Sequence, residues 1–529
     1  MNGKMTSSTP QRKTLRGYAL CMLALLVVLV APAYSTADGA SSSWPNWRGS
    51  ADNNGLIHAL TPRVASDAAL LWQTDITGLV KTENDYKPVD AWASPSSSQP
   101  IIVNGNIAIV SGNKVLLLDS KGAKVAEGTL DNPIGYMSRP VYADGLIIVP
   151  TSDGVVEAVY ADTLKRAWVT LPIPGQQLTC TLNAVGGYVY VGMADTGWAV
   201  PSANGYFKCL EVSTGKVVWE KKNDNAGYYW AGAVVTHGAA IYAGDDGILT
   251  SVDAASGAQV DTMSVGSPVR STIIKSPTDS SIYFTTHDGN LYKVAVNTDG
   301  SFGASQSVNF CKTSTGAPTI SNGKIYAAGL ADKGSGVLSV VDSETMQVEQ
   351  SFAAPGNIQS APLVTDAYGN DRFVYYTSNI TPGALYVSRL GESSSAAQVL
   401  YTPAKDMQNY CEFSPIAGTD GTLYYVNDSG YLFAVGNRNK TPPPLSISMA
   451  TISASKYIYT GSVIAPKVTV RNGDTTLKKD TDYTLAYASN KNTGKATVTV
   501  TGIIHYKGTV KLTFKIIPRK LAAPTLKEG

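Results

Sequence analysis

The stretch LEVSTGKVVW, residues 210–219, reads as two short strands around a tight turn. Apolar residues alternate up to Val212, Thr214 and Gly215 form the turn, and a second strand ends on Trp219. Glycine suits such a turn because it accepts the positive φ that hairpins require. The unit around this stretch recurs. Strand anchors IAIV, IIVP, VYVG, IYAG, IYFT, IYAA, VYYT and LYYV begin at residues 107, 147, 189, 241, 282, 325, 374 and 423. Turn dipeptides such as Asn104-Gly105, Asp144-Gly145 and Asn322-Gly323 lead into the anchors. Second turns such as GDDG (244–247), THDG (286–289) and NDSG (427–430) follow them.

Successive anchors lie 40 to 52 residues apart. A period of roughly 40 to 50 residues with four short strands per unit is the signature of a β-propeller. Eight anchors predict eight blades. The last unit stops after its third strand, where YLFAVGN (431–437) runs into RNKTPPP. A spare strand, LLWQTD (70–75), precedes the first unit and is similar to the GKVVW strands. Pairing of these two chain ends is expected to close the ring and remove its open edges.

The Thr-Gly turn and terminal Trp of 210–219, with the opening segment WPNWRGSADNNG (44–55), resemble the quinoprotein-like (PQQ-like) β-propeller repeat over residues 44–437. The resemblance implies that 44–55 clasps the outside of the ring, with Trp44 and Trp47 as packing residues. It also implies the parts that quinone-dependent enzymes need: a disulfide between adjacent cysteines, a Trp floor and a calcium ion. No two cysteines are adjacent here, and no Cys-x-x-Cys-His haem motif is present. PQQ and calcium are therefore not expected.

Residues 438–445 read as a Pro-rich linker. Beyond it, 446–518 reads as a separate module, in which YTGSVIAPKVTV…HYKGTVKLTFKI (459–516) alternates in period two and resembles the small immunoglobulin-like repeat of bacterial surface proteins. Residues 519–529 form a tail with neither a sorting motif nor an apolar anchor. The expected fold is thus all-β: an eight-bladed propeller followed by a small immunoglobulin-like β-sandwich.

Lys4, Arg12, Lys13 and Arg16 precede the apolar run GYALCMLALLVVLVA (17–31), and small residues follow. Residues 1–37 read as an export signal cleaved after Ala37, or as an N-terminal membrane anchor. Cys21 lies inside the run, against a lipid-modified cysteine. Charged residues are 16% of the chain and the formal net charge is +2, which speaks against nucleic-acid binding. Cys180 and Cys209 read as buried thiols. Cys311 and Cys411 read as free thiols, because a whole blade separates the loops that carry them.

No nucleophile elbow, zincin helix or phosphate-binding glycine loop appears. His237 and His287 fall in repeat turns, as do Asp245, Asp246 and Asp288, which read as turn formers rather than metal ligands. The connections from each fourth strand to the next first strand carry more information, since in a propeller they converge on one mouth of the central channel. They place Tyr86, Trp92, Tyr136, Tyr228, Tyr229, Trp230 and Tyr410 near one rim. Arg139, Gln176, Gln177, Arg270, Asn357, Gln359, Asn409 and Glu412 interleave with them. Aromatic faces beside amides and arginines suit a glycan or protein ligand; packing between blades is the structural alternative. Alternation turns Tyr229 to the mouth and gives Trp230 a structural role. The expected function is an exported, surface-associated, non-catalytic binding or scaffold protein. Quinone-dependent oxidoreductase and envelope-assembly scaffold are the alternatives.

Overall fold

The computed structural model describes residues 44–79, 96–438 and 449–520, apart from 179, 196–199, 394, 473–474, 481, 504–505 and 507. Residues 1–37, read as an export signal or membrane anchor, Tyr86, Trp92, nearly all of the linker, His505 and residues 521–529 lie outside the described residues. Within them the chain is all-β, with two single-turn 3-10 helices at Asp332–Gly334 and Lys405–Met407. No helix among the described residues is long and apolar enough to cross a membrane.

The sheet that contains residues 210–219 shows how the propeller is built. Asn183–Val185, Tyr188–Asp195, Gly205–Glu211 and Val217–Asn223 pair antiparallel in chain order. Gly215 stands at φ +69°, and the Trp168 ring of the preceding sheet packs so close that a Cβ there would lie 2.3 Å from it. Trp168 Nε1 also donates to Val212 O at 2.8 Å. Trp219 repeats the contact one sheet on, with Nε1 on Ala254 O at 3.0 Å and its ring against Gly257. Each such Trp therefore locks its own sheet to the turn of the next, and only glycine leaves room for the indole.

Eight sheets of this kind occur among the described residues. Their second strands, which carry the anchors, are buried on both faces: Leu146–Pro150, Ala239–Ala243 and Ser281–Thr285 have no exposed residue. Outer strands such as Gln259–Ser264 are largely solvated. Ala68–Asp75 pairs antiparallel with Tyr431–Asn437 from Ala68↔Asn437 to Asp75↔Tyr431, so the spare strand supplies the fourth strand of the last sheet. Trp72 carries the lock onward, donating to Ser120 O at 2.8 Å and covering Gly122.

The opening segment departs from the expected clasp. Rather than wrapping the outside, 44–57 runs across the inner strands. Trp44 pairs with Ile102, and Asn46 bridges Val141. Asn183 Nδ2 donates to Ala51 O at 2.9 Å. Asn53 Nδ2 donates to Ala233 O (2.8 Å) and Ile273 O (3.0 Å), and Asn54 exchanges two 2.9 Å bonds with Ile320. Leu56–Ile57 then runs parallel to Val364 and Thr365. So short a segment reaches the first seven sheets only by lying across their common axis. Trp44 and Trp47 are buried, as packing residues should be, but they plug the channel.

Residues 449–520 form two smaller sheets. Ala450–Ile452, Val468–Asn472 and Thr475–Thr476 make one; Lys456–Ile458, Thr509–Ile517, Gly494–Gly502 and Tyr483–Ala488 make the other. Val470, Ala496, Val498, Val500 and Phe514 are buried in their interior, as the period-two pattern requires.

Candidate binding site at the channel mouth

Because first and second strands run antiparallel, the turn after each second strand lies at the same end as the connection into each first strand. The mouth is therefore built from both. In two of the connections, Met137 and Trp230 take left-handed φ of 56° and 58°. Two residues after each, Arg139 and Gly232 join Thr181 and Thr272 in a chain of parallel bridges from sheet to sheet.

Arg139 is 3% exposed, and its Nη1 donates to Trp230 O (3.1 Å) and Thr181 Oγ1 (3.3 Å). Its guanidinium carbon sits 4.2 Å above the centre of the Trp47 ring, so the plug reaches up to the mouth residues. Burial lowers the Arg139 pKa to about 10. Arg270 forms a buried bidentate pair with Asp245, Nε to Oδ1 at 2.9 Å and Nη2 to Oδ2 at 2.7 Å. Asp245 Oδ2 also accepts Ser202 N and Oγ. Asp245 is thus more than a turn former: it holds an arginine of the next connection. Asp246 and Asp288 do serve their turns, accepting from Ile248 N and from Thr286 Oγ1 respectively.

The aromatic run of 228–230 is buried, not exposed. Tyr228 packs edge-on to Phe207 and Tyr242 in the core between the third and fourth sheets. Tyr229 is 3% exposed, 5.3 Å from the Trp230 ring and 4.6 Å from the Arg270 guanidinium carbon. The expectation that Tyr229 faces the mouth is not met. Its ring backs the Arg270–Asp245 pair, and Trp230 is buried beside it.

The accessible part of the mouth is acidic and amidic. Asn379 Nδ2 donates to Glu412 Oε1 (2.5 Å) and Gln359 Oε1 (2.7 Å), and Tyr136 OH donates to Asp428 Oδ1 (3.3 Å). Burial, then the nearby Asp428 charge, pushes Glu412 up to about 7, and burial pushes Asp428 up to about 6. Tyr410 is 52% exposed at the rim, its carbonyl accepting Asp428 N at 3.0 Å. The structure connects Tyr136, Arg139, Arg270, Gln359 and Glu412 through the buried Tyr229 and Trp230, which underlie the mouth rather than face it. Tyr228 lies apart from it, and Gln177 sits in the short strand Gln176–Gln177 on the third sheet. Asn379 and Asp428 were missed because only the connections, and not the second turns at the same end, were read as lining.

Cys180, Cys209, Cys311 and Cys411 are free thiols. Cys411 donates to Val426 O at 3.0 Å, and Cys311 lies 3.3 Å from Thr313 O. Among the described residues no three His, Cys, Asp or Glu side chains gather as a metal-holding group.

Glu412→Gln is expected to stabilise the protein at pH 8. A carboxyl whose folded pKa is raised from 4.5 to about 7 favours folding below pH 4.5, and that contribution is lost as pH rises through about 7. The variant should therefore gain on the order of 2 kcal/mol at pH 8 and show no difference near pH 4. Urea denaturation at both values checks this; an equal midpoint at pH 8 refutes it.

A PQQ-like repeat family model described as "Outer membrane protein assembly factor BamB" matches residues 53–222 and 181–396. A curated relative, the outer membrane protein assembly factor BamB of Yersinia pestis, is 23% identical over 190 residues, 34% of this chain and 43% of that protein. The match thus spans less than half of the relative's length. Among solved structures, a europium-containing methanol dehydrogenase superposes with a TM-score of 0.57 at 12% identity, covering 74% of this chain and 98% of that one. The quinohemoprotein alcohol dehydrogenase of Comamonas testosteroni gives 0.56 at 12% identity, covering 78% and 83%. These likenesses establish the propeller fold, not the chemistry.

Proposed function

The chain belongs to the family described as outer membrane protein assembly factor BamB, and from that premise we propose a non-catalytic scaffold of the cell envelope that binds a protein segment at the channel mouth. The single observation that carries this reading is the lip made by Tyr136, Gln359, Asn379, Glu412 and Asp428. It offers carboxyl and amide groups at a partly open surface, a surface for backbone amides and basic side chains. A glycan is the weaker occupant, because the rings on which a sugar would stack, Tyr229 and Trp230, are buried. The relative's printed name, an assembly factor, points the same way.

The eight sheets are eight blades of one ring over residues 44–437. Residues 446–518 are an immunoglobulin-like spacer, and residues 1–37 export the chain to the envelope or cell surface. The mouth works without PQQ or calcium, a reading supported by the lack of adjacent cysteines and by the plug, which puts Trp47 and Arg139 beneath the lip. Oxidoreductase activity is the competing outcome.

Photo-crosslinking in the source cells tests the reading. A photoreactive residue at the exposed Tyr410 should give a discrete protein adduct, whereas one at Val125, exposed on an outer strand, should not. Asp428→Lys should reduce the adduct at least tenfold. Equal adducts from both positions, retention in a glycan array, or quinone-dependent dye reduction by the purified chain would each overturn it.

A further inference from the structure

His58 stands between two carboxylates that belong to different parts of the chain. It follows the parallel strand Leu56–Ile57 on the seventh sheet, and its Nδ1 lies 2.8 Å from Oδ1 of Asp366 on that sheet. Its Nε2 lies 3.2 Å from Oδ1 of Asp482, in the 449–520 module. A neutral imidazole has one N–H and one lone pair, so one of these contacts would set a lone pair against a carboxylate oxygen. Only the imidazolium donates to both. Asp482 is fully buried although it sits in a loop. Its second oxygen accepts Lys478 N at 2.7 Å, and its carbonyl accepts Ile503 N at 2.9 Å, so the module holds this carboxylate in a fixed position.

We propose that His58 is a proton-linked latch: the imidazolium docks the C-terminal module on the propeller by joining Asp366 to Asp482, and loss of its proton releases the module. Among the described residues, Asp366 and Asp482 face the imidazole directly, and the charges of Lys478 of the module and Arg372 of the seventh sheet act on Asp366. Burial disfavours the charged imidazole, yet the two carboxylates overcome it and raise His58 to about 9. The sign follows. A base with a raised pKa in the docked state stabilises docking at low pH, and this contribution is lost as pH rises through about 9. Asp366 remains beside His58 when the module leaves, so it supports part of the shift in both states. The module's carboxylate supplies the difference that drives release.

A pair of spin labels in the full chain tests this, one at Lys121→Cys in the first sheet and one at Lys511→Cys in the module, with Cys311→Ser to limit stray labelling. Pulsed dipolar spectroscopy should give one narrow distance at pH 7. As pH rises toward about 9 the docking constant should fall by up to about tenfold per pH unit, and above about pH 9, where that loss is complete, the distribution should be broad. His58→Gln should be broad already at pH 7, and Asp366→Asn should move the transition to lower pH. Asp366→Asn alters no group of the module, so it and the wild-type titration remain decisive even where the His58 variant folds poorly. A narrow, pH-independent distance in the wild-type chain overturns the latch, and so does a narrow one in His58→Gln. Broadening that coincides with loss of the β-sheet circular dichroism signal also overturns it, since that is unfolding rather than release.

Discussion

Deleting Ala68–Asp75 is expected to abolish the folded monomer. The strand holds seven register pairs with Tyr431–Asn437, and it is the only strand on that side of the last sheet among the described residues. At about 1 kcal/mol net per backbone hydrogen bond, losing the ladder approaches the roughly 5–15 kcal/mol that stabilises a whole domain. The damage reaches further, because Trp72 ties the last sheet to the first. With it go the bond to Ser120 O, the indole over Gly122 and the ring contact with Tyr424 at 5.7 Å. What remains is an unpaired edge with buried apolar neighbours, a template for pairing with other chains. Size-exclusion chromatography should show aggregation and the cooperative thermal transition should vanish. A monomeric deletion variant with the wild-type transition would mean that the last sheet stands on three strands.

Arg48→Met is expected to destabilise the propeller by about 2–4 kcal/mol, through buried carbonyls that lose their donors. Arg48 Nε donates to Asn53 O (3.2 Å), Nη1 to Pro362 O (3.0 Å) and Nη2 to Pro318 O (3.0 Å) and to Thr319 Oγ1. Methionine keeps the length of the side chain and none of these bonds. The Pro318 and Asn53 carbonyls then lose their guanidinium donors, at about 1–3 kcal/mol each, whereas Pro362 O keeps the Thr319 hydroxyl at 2.6 Å. Relief of the guanidinium's desolvation works in the opposite direction, since burial and the nearby Arg139 already hold Arg48 below its ordinary pKa. The orphaned carbonyls decide the balance, because nothing else described in the plug replaces the lost donors. Gly55→Ala should act through the same contact: its Cβ would lie 2.5 Å from the guanidinium carbon. Chemical denaturation of both variants measures the effect. A midpoint unchanged by Arg48→Met would show that the plug merely rests in the channel.

The propeller was legible in the sequence because its signals are local and repeated. Turn glycines, period-two anchors and the Thr-Gly…Trp unit each constrain a few consecutive residues, and their spacing alone counts the sheets. Even ring closure could be read, since LLWQTD repeats a pattern whose partner is missing at the other end. The plug could not be read. Arg48 meets carbonyls 270 and 314 residues away, and no local pattern encodes contacts of that span. The orientation of Tyr229 failed for a related reason. Alternation separates the two faces of a strand, but near the axis of a propeller both faces are covered by neighbouring sheets, so the side turned from the core does not turn to water. Glu412 was recognisable as a mouth residue; its raised pKa was not, because that depends on burial and then on the Asp428 charge, both set by the folded packing. Sequence alone determined the repeat, its closure and the loops that reach the mouth. Only the tertiary structure decided what fills the channel, which aromatics are buried, and that His58 bridges two carboxylates lying 308 and 424 residues away. Those features arise where distant segments meet, and their energies come from desolvation and pairing that no single segment contains.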